Sequence, residues 1–136
     1  MNRALLAGLT YFVLVFALGF LLGTVRTLFI SDAQGQDRLI GVLIELPIML
    51  VASWYACAYV IRCLRVATTL DARALMGGFA FVLLLLAELM VGTVFFGRSP
   101  AGHFALYHEP SYALGLVAQI GFALMPIWQL RSRVAQ

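Results

Sequence analysis

Four long apolar runs, at residues 4–30, 39–61, 74–96 and 111–130, constrain this chain more than anything else in it. A helix needs roughly 20 apolar residues to cross about 30 Å of hydrocarbon, and each run has that reach. None alternates with period two, as barrel strands would. In lipid, backbone N–H and C=O groups find partners only within helices or closed barrels. The expected fold is therefore all-α: an integral membrane four-transmembrane-helix bundle, one membrane domain over residues 1–136. Composition points the same way. The chain is 63% hydrophobic and 11% charged, where a soluble domain is about half apolar and about a quarter charged. A soluble fold of 136 residues has too much surface for its volume to hide so much apolar material.

The segment Met1-Asn2-Arg3 before the first run looks like the start of a signal peptide. The run that follows is longer than a typical signal core, and no A-x-A-like site ends it. It is expected to stay as the first span. Orientation follows from the arginines. Arg3, Arg62, Arg65, Arg73, Arg131 and Arg133 fall on one side of the four runs; Arg38 and Arg98 fall on the other, with Arg26 near the boundary. Cytoplasmic loops carry the excess of basic residues. The expectation is a multi-pass protein of the bacterial inner membrane, N-in and C-in, with the lipid bilayer as its first partner. The net charge of +3 is thereby a matter of topology, and no nucleic-acid partner is expected. Trp128, Tyr107 and Tyr112 fall where interfacial aromatic anchors sit.

The connection before the fourth run has its own pattern. Ser99-Pro100 matches an N-cap followed by proline at the first helical position. A short interfacial helix over 101–108 is expected, with His103 beside Tyr107 and Phe104 beside His108 at i,i+4, ended by Pro110. His103 and His108 lie five residues apart next to Glu109, without further ligands for a metal. Cys57 and Cys63 are six apart, neither a redox pair nor a metal spacing. No metal and no cofactor are expected. Nucleotide loops, nucleophile elbows and zincin motifs are absent from the sequence, so an enzyme is not expected.

What remains are polar residues at membrane depth. A charge at the bilayer centre costs at least about 2.5 kcal/mol, so such residues turn inward and find partners. Arg26, Glu45 and Glu88 are of this kind, and Gln119 lies near the middle of the fourth run. At 1.5 Å per residue, Glu45 stands roughly 7–8 Å and Glu88 roughly 4–5 Å outward of their span centres. These two carboxyls share a depth, and Arg26 sits one to two turns above them. Arg26 also shares a face with Gly19 and Gly23, a GxxxG pattern that suits close helix packing. A single polar cluster of Arg26, Glu45, Glu88 and Gln119 is expected in the outer half of the bundle. It serves either to fasten the helices or as a ligand- or proton-binding site, since two nearby carboxylates in low dielectric do not both ionise easily. Trp54 is a secondary candidate, for packing or for stacking on a flat ligand; His103, Tyr107 and His108 are others.

Two functions fit. One is a proton-coupled small-solute transporter or channel acting as a homo-oligomer. The other is a non-catalytic accessory or assembly subunit of a larger membrane complex, suggested by the short loops and few polar sites.

Overall fold

The computed structural model describes residues 2–29 and 36–134. It is helical throughout, without strands among the described residues. Four long helices, α1 (Arg3–Phe29), α2 (Gln36–Cys63), α3 (Leu70–Val94) and α5 (Pro110–Val134), are joined by short connections. The third connection holds α4 (Pro100–Ala105) and a 3₁₀ turn, Leu106–His108. The four long helices are long and apolar enough to cross a membrane, the makeup of a multi-pass membrane protein. Their bounds track the apolar runs to within a few residues. Residues 30–35 lie outside the described residues; Gln36, Asp37 and Arg38, which the apolar runs leave in the first connection, belong to α2.

Helix ends follow local chemistry. Thr69 caps α3, its side chain accepting from the Ala72 N–H at 3.4 Å, so α3 begins four residues before the apolar run does. Arg73, which reads as a loop charge in the sequence, is thus inside the helix. Ser99 caps α4 by accepting from the Gly102 N–H at 3.0 Å, with Pro100 at the first turn. Pro110 does not merely end that segment; it opens α5, where its missing N–H costs nothing. At the end of α2, Val66 N–H donates to the Ile61 carbonyl and Arg65 N–H to the Arg62 carbonyl. This pair of bonds is the Schellman closure. It places Arg65 at φ 49°, a conformation usually given to glycine.

Neighbours in the bundle are not those of a simple up-and-down meander. α1 packs on α2 and α3, and α5 packs on α2 and α3, while the backbones of α2 and α3, like those of α1 and α5, stay apart. The 64–69 connection therefore crosses a diagonal. Backbones meet most closely at two glycines. A Cβ on Gly8 would lie 2.7 Å from the Met76 carbonyl oxygen, and one on Gly77 would lie 2.0 Å from that of Ala123. These small residues let α1 and α5 each close against α3.

The buried core occupies one half of the bundle. Ala7, Tyr11, Val60, Met76, Ala80 and Met125 are all buried there, in the first half of α1 and α3 and the last half of α2 and α5. This is the proximal end, where α1 begins and α5 finishes. Tyr11 stacks on Phe122 with ring centroids 4.2 Å apart. Its Oη donates to the Phe122 carbonyl at 3.1 Å. That carbonyl is the one Pro126, four residues on, cannot serve with an N–H. A residue on α1 thus closes the gap that a proline opens in α5, across the bundle diagonal. Gln129, also buried, donates to the Trp54 carbonyl at 2.8 Å, and Arg73, buried, donates from Nε to the Ala67 carbonyl at 3.1 Å.

Candidate functional site

At the other, distal end the helices enclose space instead of packing. A cavity of about 660 Å³ is lined by residues of all four long helices. This falls within the range of small-molecule sites, roughly 300–1,000 Å³. Its proximal floor consists of Val15, Ser53, Leu84 and Phe122, all buried, with the Tyr11 ring beneath Phe122.

The four polar residues expected to cluster all line this one cavity, as two pairs. Arg26 Nη1 donates to Glu45 Oε2 at 2.7 Å. Gly41 makes this possible: a Cβ there would stand 3.2 Å from Arg26 Cδ, so α2 presents a bare patch along which the arginine stem lies. Both side chains keep about a quarter of their exposure, 24% and 23%. They hold each other in place yet remain reachable. On the facing wall, Gln119 Nε2 donates to Glu88 Oε1 at 2.6 Å, joining α5 to α3. The Gln119 Oε1 atom is buried and has no hydrogen-bond partner.

The distal rim adds residues that the sequence reading did not include. Arg38 donates to the Tyr112 hydroxyl, and its guanidinium carbon lies 4.3 Å from the centre of that ring. Arg98 rests over the Phe96 ring at 4.9 Å. Both line the cavity. Among the described residues the one ion pair is Arg26–Glu45, so neither rim arginine has a carboxylate partner. The sequence offers a signal for them in retrospect: they are the two arginines in the distal connections, whose other charges, Asp32, Asp37 and Glu109, are acidic.

The secondary candidates separate. His103 does not lie on the outer surface. It is 7% exposed and forms part of the cavity wall, its Nδ1 set against Gly92, where a Cβ would come within 2.7 Å. That nitrogen has no hydrogen-bond partner. Burial, with the positive charge of Arg98 adding to it, holds the His103 pKa below its usual value. Tyr107 stands edge-on to His103, ring centroids 5.9 Å apart. Burial, followed by the charge of Glu88, raises its pKa. Phe104 packs near Tyr107 and His103. His108 is exposed and does not line the cavity. Trp54 lies in the proximal half, more than a third exposed, and lines no part of the cavity. A Cβ added at Gly19 would meet only the Met49 side chain, and one at Gly23 would face open space; the GxxxG face borders the cavity and makes no close helix contact among the described residues. No group of three or more potential metal ligands occurs among the described residues.

Fold and site together define a multi-pass helical protein with, in one half of its bundle, a largely apolar chamber that carries a few charged and polar groups. No family model, curated protein or solved structure matches the chain.

Proposed function

We propose that the chain is a small-solute transporter, coupled to protons through Glu88 and working from the distal chamber. The observation that supports this most is the asymmetry of the bundle. One half is packed shut by Tyr11, Phe122 and their neighbours; the other encloses a cavity large enough for a solute, with its polar groups in two facing pairs. A purely structural use of Arg26, Glu45, Glu88 and Gln119 would favour a filled interior, because unfilled space forfeits dispersion contacts. The arginine bias sets the proximal end in the cytoplasm, so the chamber faces outward. Glu88 is the proton site in this reading: its partner is the neutral amide of Gln119, whereas Glu45 is held by a cation. A bilayer-wide path requires the Tyr11–Phe122 floor to open, and a homo-oligomer would form through the apolar outer face of α2, where Leu43, Ile44 and Val51 are exposed.

The test is flux in phosphatidylcholine proteoliposomes containing a trapped pH dye. Ethidium, taurocholate and sucrose sample the organic cation, amphipathic anion and neutral classes. At least one should move protons with it, and Glu88→Gln should abolish the proton signal. If none does so, and the chain leaves native membranes only within a larger complex, it is an accessory subunit instead.

A further inference from the structure

From the charge arrangement of the chamber we infer that its ligand is an amphipathic anion. Its anionic oxygen head would meet Arg38 and Arg98 at the rim, and its apolar body would lie along Phe16, Phe20, Leu46 and Met49. This rests on the reading that the chamber is a ligand site.

The lining carries three guanidinium groups, of Arg26, Arg38 and Arg98, against two carboxyls, Glu45 and Glu88. Arg26 and Glu45 cancel each other at 2.7 Å. Glu88 faces the Gln119 amide at 2.6 Å. Glu88 keeps its carboxyl open, but it stands against two guanidinium groups that have no carboxylate partner among the described residues, so the lining leans to positive charge. Their present partners are weak ones for a charge: an aromatic face for Arg98, and a phenol with its ring for Arg38. Arginine forks match carboxylate and phosphate oxygens in a paired geometry that a ring face does not supply. A second observation comes from the same wall. His103, over nine-tenths buried, has an Nδ1 without a hydrogen-bond partner, and in the tautomer protonated there it donates to an anionic oxygen. Native interiors rarely leave such an atom unsatisfied, and His103 lines this cavity. The remaining lining is largely aromatic and aliphatic, including Phe95 and Phe96 near the mouth. A fully hydrophilic anion would waste that surface, while an anion with an apolar tail uses both parts.

A free amphiphile and a membrane lipid with an anionic headgroup share this chemistry. The test is equilibrium binding to the full chain in phosphatidylcholine nanodiscs, with empty discs as the blank. The probes are decyl sulfate, decyl phosphate and decyltrimethylammonium, which have the same tail and opposite heads. The two anions should bind saturably at least tenfold more tightly than the cation. Arg98→Gln and Arg38→Gln should each weaken the anions tenfold or more and leave the cation unchanged. Arg98→Lys, which keeps the charge but loses the fork, should weaken them less; it covers the case in which Arg98→Gln does not fold. Adding phosphatidylglycerol to the discs distinguishes the sources: competition with decyl sulfate marks a lipid site, and its absence marks a free amphiphile. Equal or tighter binding of decyltrimethylammonium, or anion binding indifferent to both arginines, overturns the inference. If decyl sulfate binds as stated but none of the flux probes moves protons, the transport reading fails while this one stands.

Discussion

Replacing Tyr11 with phenylalanine removes one oxygen and leaves the ring stack on Phe122 intact. The lost bond is the 3.1 Å donation to the Phe122 carbonyl, beside which Met125 Sδ is a weaker acceptor at 3.4 Å. Tyr11 is fully buried and Phe122 is 3% exposed, so water cannot take the hydroxyl's place. Within α5 the usual donor is missing, because residue 126 is proline. A buried acceptor left unpaired costs about 1–3 kcal/mol. Cross-helix hydrogen bonds in membrane proteins average about 0.6 and reach about 1.7 kcal/mol. The expected loss for Tyr11→Phe is therefore about 1–2 kcal/mol, read as the shift in reversible unfolding in mixed micelles. A double-mutant cycle tests the cause. Pro126→Ala restores an N–H to the Phe122 carbonyl, so Tyr11→Phe should cost less in that background, with a coupling of about 1 kcal/mol. If the two changes add to within about 0.3 kcal/mol, the carbonyl is not what Tyr11 serves and the reasoning is wrong.

Other outcomes follow from the same geometry. Gly77→Ala puts a methyl 2.0 Å from the Ala123 oxygen and should destabilise by about 1–3 kcal/mol, whereas Gly23→Ala, with nothing near its Cβ, should change unfolding little; equal costs in the same micelle assay would misplace the helix contact. Arg65→Gly should stabilise by about 1 kcal/mol, since a left-handed arginine costs about 1–2 kcal/mol; thermal unfolding decides it. Arg26→Gln should lower stability more than the double change Arg26→Gln/Glu45→Gln, because the single change strands a carboxylate in the chamber; the same unfolding assay compares them. The pKa of His103 lies below its unfolded value, so the unfolded chain takes up that proton first. Its contribution to stability is then full above about pH 6.5 and declines as pH falls through that value toward the folded pKa. Arg98→Gln should raise the His103 pKa, as followed by its imidazole NMR shifts; an unchanged titration would rule out the proximity of these two groups.

Helix number and placement were legible in the sequence because they depend on run length, and lipid imposes that length on each run separately. The Ser99-Pro100 cap was legible for the same reason: its chemistry is complete within four residues. The polar set was also readable, since Arg26, Glu45, Glu88 and Gln119 lie inside apolar runs where only a bundle interior would hold them. Their pairing was not. It depends on α2 and α3 standing diagonally apart, which leaves Glu45 to α1 and Glu88 to α5, and no local pattern records which helices adjoin. The packing glycines show the same limit. Gly19 and Gly23 form the recognisable motif, yet the close contacts fall at Gly8 and Gly77, because closeness belongs to two helices and the motif to one. Arg73 read as a loop charge because Thr69 extends α3 beyond its apolar run. His103 read as a surface residue because the inward turn of α4 rests on the bare backbone of Gly92, eleven residues earlier.

The central claim is that the distal half encloses a solvent-reachable chamber above a closed floor. Cysteine placed at Gly23 or Gly115 lines that chamber, and neither position has an atom within 4 Å of an added Cβ. In a background with Cys63, the exposed native cysteine, replaced by serine, a membrane-impermeant thiol reagent applied to sealed, oriented vesicles should label both from the distal side. A cysteine at Ala80, in the buried proximal core, should stay unlabelled. Equal protection at all three positions would mean a dry, filled interior and would contradict the account.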